Sequence, residues 1–128
     1  MGIERAQDIH PAVQSRFNAA DVDGLVALYE PGAVMIGSEG ERCEGLDAVR
    51  ANWAGLIEMG GSQMALTTVY CVVQGDLALL RNDYTVDFGG TPVSGSTAEV
   101  VRRQPDGTWL YVIDHPFGSM PGGVLTID

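Results

Sequence analysis

Apolar residues recur at every fourth position near the start of the chain and at every second position toward its end. Ile9, Val13 and Phe17 form the first stripe, which is the spacing of one helix face. Asp8 stands where a cap belongs, and Pro11 falls in the first turn, where a missing N–H does no harm. The run Asn18-Ala19-Ala20-Asp21 ends this helix. Asp21 can cap a short second one that turns Leu25, Val26, Leu28 and Tyr29 inward until Pro31-Gly32 stops it. Residues 33–36 read as a short apolar strand, and 37–45 as a glycine-bearing loop or ragged edge hairpin. A third helix is predicted over 46–58, with Val49, Trp53 and Leu56 or Ile57 at spacings of three and four. Gly60-Gly61 ends it.

From Gln63 onward the period is two. A long strand over 64–74 runs into a tight turn at Gly75-Asp76. The next strand, 77–88, puts Leu80, Asn82, Tyr84, Val86 and Phe88 on one face and Arg81, Asp83, Thr85 and Asp87 on the other. After a turn at 89–92 comes a hairpin over 94–116, folded about Gln104-Pro105-Asp106-Gly107. Pro pre-sets the first turn position, Asp bonds its own backbone, and Gly accepts the left-handed conformation. With Pro105 to Gly107 as the turn, Gln104 faces Thr108 and Glu99 faces Ile113. Thr97, Glu99, Val101, Trp109, Tyr111, Ile113 and His115 then share the face expected to line a pocket. Ala98, Val100, Leu110, Val112 and Asp114 share the face expected to pack in a dimer. A one-residue slip instead places Asp114 beside Glu99.

Helices first and long antiparallel strands afterwards is an α+β layout. One strongly curved sheet can wrap the three helices into a cone with an internal pocket. The 128 residues suit a single domain over 1–128, with a loose tail from about 118 and a possible last strand at 124–127. A formal net charge of -10 argues against nucleic acid and anionic membrane as partners. No apolar run spans a bilayer, and the first ten residues lack the pattern of a signal peptide. Cys43 and Cys71 read as free thiols, and the expected compartment is cytoplasmic.

Candidate chemistry concentrates on the late strands. Glu99 lies in the middle of an apolar strand, where a desolvated carboxyl has a raised pKa and serves as acid or base near neutrality. The alternative is a surface pair with Arg81 or Arg102. His115 is a candidate proton shuttle, or a cap on the strand end. Asn82 and Tyr84 can offer hydrogen bonds to a ligand oxygen, while Trp53 and Tyr111 are candidate pocket walls. Cys43, Cys71, His10 and His115 lack metal-ligand spacing, so no metal is expected, and no motif calls for a cofactor.

The phrases FNAADVDGLVALYEPGAVMIG, EGLDAVRANW and DGTWLYVIDHPFG resemble the SnoaL-like and ketosteroid-isomerase-like proteins of the nuclear-transport-factor-two-like superfamily. The resemblance spans about residues 8 to 118. It implies a cone-shaped α+β fold, a homodimer through the outer sheet face, and a pocket for a small apolar or aromatic molecule. Isomerases, cyclases, hydrolases, dehydratases and plain binding modules all use this fold. The ketosteroid isomerase pattern is broken in two places: its first-strand base falls at Ile36 or Gly37, and its helix-one Tyr falls near Val13. The second acid of its oxyanion hole falls at or next to Glu99. The expectation is an acid–base enzyme of isomerase, cyclase or dehydratase type on a small apolar carbonyl compound, with Glu99 and His115 as catalytic residues. The alternative is a non-catalytic binding or assembly module.

Overall fold

The computed structural model describes residues 2–118 and 127–128. A 3-10 turn, Ala6–Asp8, leads into α1 (Ile9–Asn18) and α2 (Val22–Val26). Two strands follow, β1 (Tyr29–Ile36) and β2 (Arg42–Glu44), and then α3 (Leu46–Glu58). The remainder is strand: β3 (Gly61–Gln74), β4 (Leu77–Phe88), β5 (Thr91–Ser96), β6 (Ala98–Arg103) and β7 (Trp109–His115). Apart from Ile127, the last strand expected at 124–127 falls outside the described residues.

All seven strands join one sheet in the order β2-β1-β7-β6-β4-β3, with β5 also on β4. Every pairing is antiparallel except β1 with β7. The helices lay their apolar stripes on one side of this sheet. Ile9, Val13 and Phe17 of α1 and Val49 and Trp53 of α3 join Met35, Leu80 and Val101 of the strands in one buried cluster. This is the α+β cone that the periodicities predict.

Three local differences shape the pocket. First, α2 stops at Val26, and Tyr29 already belongs to β1, opposite Tyr111. Pro31, expected as a helix stop, sits instead where the β1–β7 register shifts between Tyr29 and Val34. A missing N–H is tolerated at such an irregularity. Second, the arm over 94–103 breaks at Thr97 into β5 and β6. Both lie on β4, through Asp83↔Ser96 and Leu80↔Glu99, and the Thr97 N–H donates to the Asn82 carbonyl at 2.9 Å. Gly95 is required here, because a Cβ on it would stand 2.5 Å from the Tyr84 hydroxyl.

The third difference corrects the hairpin register. At the turn the pairing follows the sequence reading. Gly107 has φ +87, the Gln104 N–H donates to the Thr108 carbonyl at 2.7 Å, and Arg103 faces Trp109. Then the ladder shifts between Val100 and Val101. Val101 faces Tyr111 but Val100 faces Ile113, so Val112 is an extra residue in β7. Such a bulge flips every side chain beyond it to the other face. Glu99 therefore faces Asp114, not Ile113. Asp114 is buried, and Ile113 is 43% exposed.

Candidate active site

Inside the cone is a cavity of about 190 Å³. Its walls are largely apolar, with Phe17, Trp53, Leu56, Met64, Val86 and Phe88 among them. Phe17 and Trp53 meet edge to face with centroids 5.7 Å apart. Polar groups collect at one end.

His10, on α1 beside Ile9, is fully buried. Its Nε2–H donates to Glu99 Oε2 at 2.8 Å, and its Nδ1 lies 2.8 Å from Thr68 Oγ1 on β3. Asn82 on β4 donates through Nδ2 to Glu99 Oε1 at 3.2 Å and to Thr97 Oγ1 at 2.7 Å. An ionised carboxylate only accepts, so this contact fixes which end of the Asn82 amide carries the donors. Both oxygens of Glu99 are thus held by donors from two separate elements. The surface partners considered for Glu99 are used elsewhere: Arg102 pairs with Glu30 at 3.0 Å, and Arg81 reaches Ser96 Oγ.

A second string of donors reaches Asp114. The Trp53 Nε1–H donates to the Tyr29 hydroxyl at 3.2 Å, and that hydroxyl donates to Asp114 Oδ2 at 2.6 Å. The Tyr29 and Tyr111 rings lie 4.9 Å apart. Burial pushes the Asp114 carboxyl up, and the nearby Glu99 charge adds to this. The Tyr29 hydrogen bond pulls the other way, and the balance stands at about 7. Burial also raises the Tyr29 and Tyr111 hydroxyls well above the usual phenol range, so both stay protonated.

Of the residues singled out in the sequence, Glu99, Trp53, Asn82, Tyr84 and Tyr111 line this cavity, and His115 does not. The bulge at Val112 turns His115 off the cavity wall. Its Nδ1 accepts the Phe117 N–H at 3.2 Å, which finishes the strand end. Three contributors are missing from the expected set or stand only in its alternative: His10, Tyr29 and Asp114. His10 had a signal, because His10, Val13 and Phe17 share one helical face and all line the cavity. Tyr29 was hidden by its assignment to a helix end. No group of His, Cys, Asp and Glu among the described residues is arranged to hold a metal ion.

Together, the strands and helices define an α+β cone with an internal, largely apolar pocket. The SnoaL-like domain family model matches residues 12–112. The chain belongs to that family. No curated protein matches the chain. Among solved structures it is similar to a protein from Thiobacillus denitrificans described as a calcium/calmodulin-dependent protein kinase type II association domain. The two are 21% identical with a TM-score of 0.79, over 94% of this chain and 99% of that one. A ketosteroid isomerase-like protein from Erwinia carotovora atroseptica is 20% identical with a TM-score of 0.72, over 90% and 94% of the two chains. A protein from Streptomyces avermitilis described as a dehydratase from the NTF2-like family is 16% identical with a TM-score of 0.73, over 92% and 97%. At these identities the likeness is one of fold.

Proposed function

We propose that the pocket catalyses proton transfer on a small, mostly apolar carbonyl compound, as an isomerase, cyclase or dehydratase does. The carrying observation is the pair of buried carboxyls facing each other across β6 and β7. Glu99 is fixed by His10 and Asn82, while Asp114 is held near 7. A carboxyl poised there is present as a base at neutral pH, and once it has taken a proton from carbon it can return it to the substrate. Glu99 serves as the fixed anion that keeps Asp114 basic, and Asp114 takes the proton-moving place first given to His115. Tyr29 orients Asp114, and the apolar walls keep water from competing.

Deuterium exchange at the carbon beside the carbonyl of small ketones, followed by NMR, tests this. Asp114→Asn is expected to lower the exchange rate by about 10²-fold or more, with His115→Ala near wild type. Exchange unaffected by Asp114→Asn would remove the reading.

A second reading is favoured by a different observation. The convex side of the sheet exposes Tyr70, Val72, Leu79 and Ile113. Apolar patches of this kind mark contact surfaces. We propose that this face joins two copies of the chain, whether the pocket is catalytic or only binds a ligand. No helix among the described residues is long and apolar enough to cross a membrane.

A further inference from the structure

Resting on the acid–base reading of the cavity, we infer that Thr68 and His10 form a proton relay. It links the buried carboxyls Glu99 and Asp114 to solvent at the seam between α1 and β3, away from the cavity.

The path is short and complete. His10 Nε2 lies 2.8 Å from Glu99 Oε2, and His10 Nδ1 lies 2.8 Å from Thr68 Oγ1. Both separations lie within the reach of direct proton transfer, about 2.6–3.2 Å. His10 lines the cavity, and Thr68 does not. One ring thus spans the wall, with a carboxylate on its inner side and a hydroxyl on its outer side.

The seam opens where the relay needs it. β3 is the last strand of the sheet. Farther along α1, side chains close its free edge: Asn18 accepts the Met64 N–H at 2.7 Å, and Gln14 accepts the Leu66 N–H at 2.8 Å. That closure stops short of Thr68, which is half-buried, while the next residue, Val69, is 50% exposed. The β3–β4 ladder also slips between Thr68 and Tyr70. Such irregularities re-aim side chains beside active sites. Among the described residues, Thr68 Oγ1 has no side-chain partner besides His10, which leaves a lone pair for water.

The step balances. Glu99 accepts the Nε2–H, so in the neutral ring Nδ1 accepts the Thr68 O–H. For a proton moving inward, the Thr68 hydrogen passes to Nδ1, the Nε2 hydrogen passes to Glu99 Oε2, and a solvent proton restores the Thr68 hydroxyl. Outward passage reverses each transfer and restores the starting tautomer. The Glu99 charge raises Asp114, so the two carboxyls gain and lose protons as one unit. The relay lets that unit exchange protons with the bulk while a ligand fills the cavity.

NMR of the full chain with isotope-labelled histidine measures solvent exchange of the His10 ring proton. Thr68→Val keeps the shape and removes the hydroxyl. It is expected to slow this exchange about tenfold or more, to the rate set by local opening. Thr68→Ser is expected to return it to within about twofold of wild type, because the hydroxyl is back. If Thr68→Val does not fold, urea decides on wild type: relay exchange stays flat at low urea, whereas exchange through opening speeds up. Unchanged exchange in Thr68→Val, no rescue by Thr68→Ser, or wild-type exchange that speeds up at low urea each overturns the relay. Deuterium wash-in to cyclohexanone in the same samples separates this inference from the acid–base reading. Wash-in that slows in Thr68→Val and recovers in Thr68→Ser supports the relay's service to the carboxyls, and unchanged wash-in beside a slowed ring proton removes that service. Unchanged ring exchange beside normal wash-in removes the relay and leaves the acid–base reading standing. A slowed ring proton with no wash-in in any sample does the reverse.

Discussion

On its concave face the sheet buries two carboxyls, Glu99 at 3% and Asp114 at 6% exposure. On its convex face the same sheet leaves Val72 at 57%, Leu79 at 46% and Ile113 at 43%. Neighbouring residues of one strand, Ile113 and Asp114, supply one side chain to each face. A chain that only had to fold would exchange them, since burying a charge costs several kcal/mol unless it is paired and burying an apolar side chain stabilises by about 2 kcal/mol. The two faces therefore differ in what completes them. The concave face holds its carboxyls through its own side chains, His10, Asn82 and Tyr29. The convex face has no such internal partners, and a second copy of the chain completes it under the dimer proposal.

The sharpest way to break the concave side is to remove the partner of Glu99 on α1. His10→Ala leaves Glu99 without its 2.8 Å partner. The expected cost is about 3–5 kcal/mol in urea unfolding, with most of it recovered in His10→Ala/Glu99→Gln. A single variant as stable as wild type would show that the pair does not hold α1 to the sheet.

Next in size is the pH response of Asp114. Its folded pKa of about 7 lies above the ordinary carboxyl value of 3.8. Between those values the folded state holds more protons than the unfolded one, so stability falls as pH rises from about 4 to 7 and then levels off. At about 1.4 kcal/mol per pKa unit, the loss amounts to a few kcal/mol. Asp114→Asn is expected to flatten that slope and to be the more stable form at pH 8. A parallel decline in both proteins across pH 4 to 7 would place the titration elsewhere.

Tyr29→Phe deletes the 2.6 Å bond to Asp114 and the acceptor of the Trp53 N–H. A loss of about 1–3 kcal/mol is expected. The bond lowers the Asp114 pKa, so its removal shifts the midpoint of the pH response upward. An unchanged midpoint would show that Tyr29 only packs. The smallest effect on the folded monomer is expected on the convex face. Leu79→Lys should change intrinsic stability by no more than about 0.5 kcal/mol. Sedimentation should nonetheless show a dimer for wild type and a monomer for the variant. A wild-type monomer at every concentration tested would remove the proposed contact.

Much of this molecule was legible along the chain because its signals are local. The spacing in 46–58 and the alternation in 77–88 return as α3 and β4 with the same bounds, and Asp21 caps α2 through the Gly24 N–H at 2.9 Å. The site was harder to read, for a reason visible in β7. One extra residue at Val112 leaves no mark in a run of Leu, Tyr, Val and Ile, yet it decides which of Asp114 and His115 turns inward. His10 was equally silent, because its partner Glu99 lies 89 residues away.

Hydrophobic period, turn chemistry and capping, all interactions within a few residues, were enough for the sequence alone to determine the helices, the long strands and the α+β class. Only the tertiary structure decided that Glu99 meets His10, that Asp114 stands opposite it, and that Tyr29 leaves the helix to hold Asp114. Those pairings join α1, β1, β4, β6 and β7, and they form where curvature and a bulge bring distant segments together at a cost no local pattern encodes.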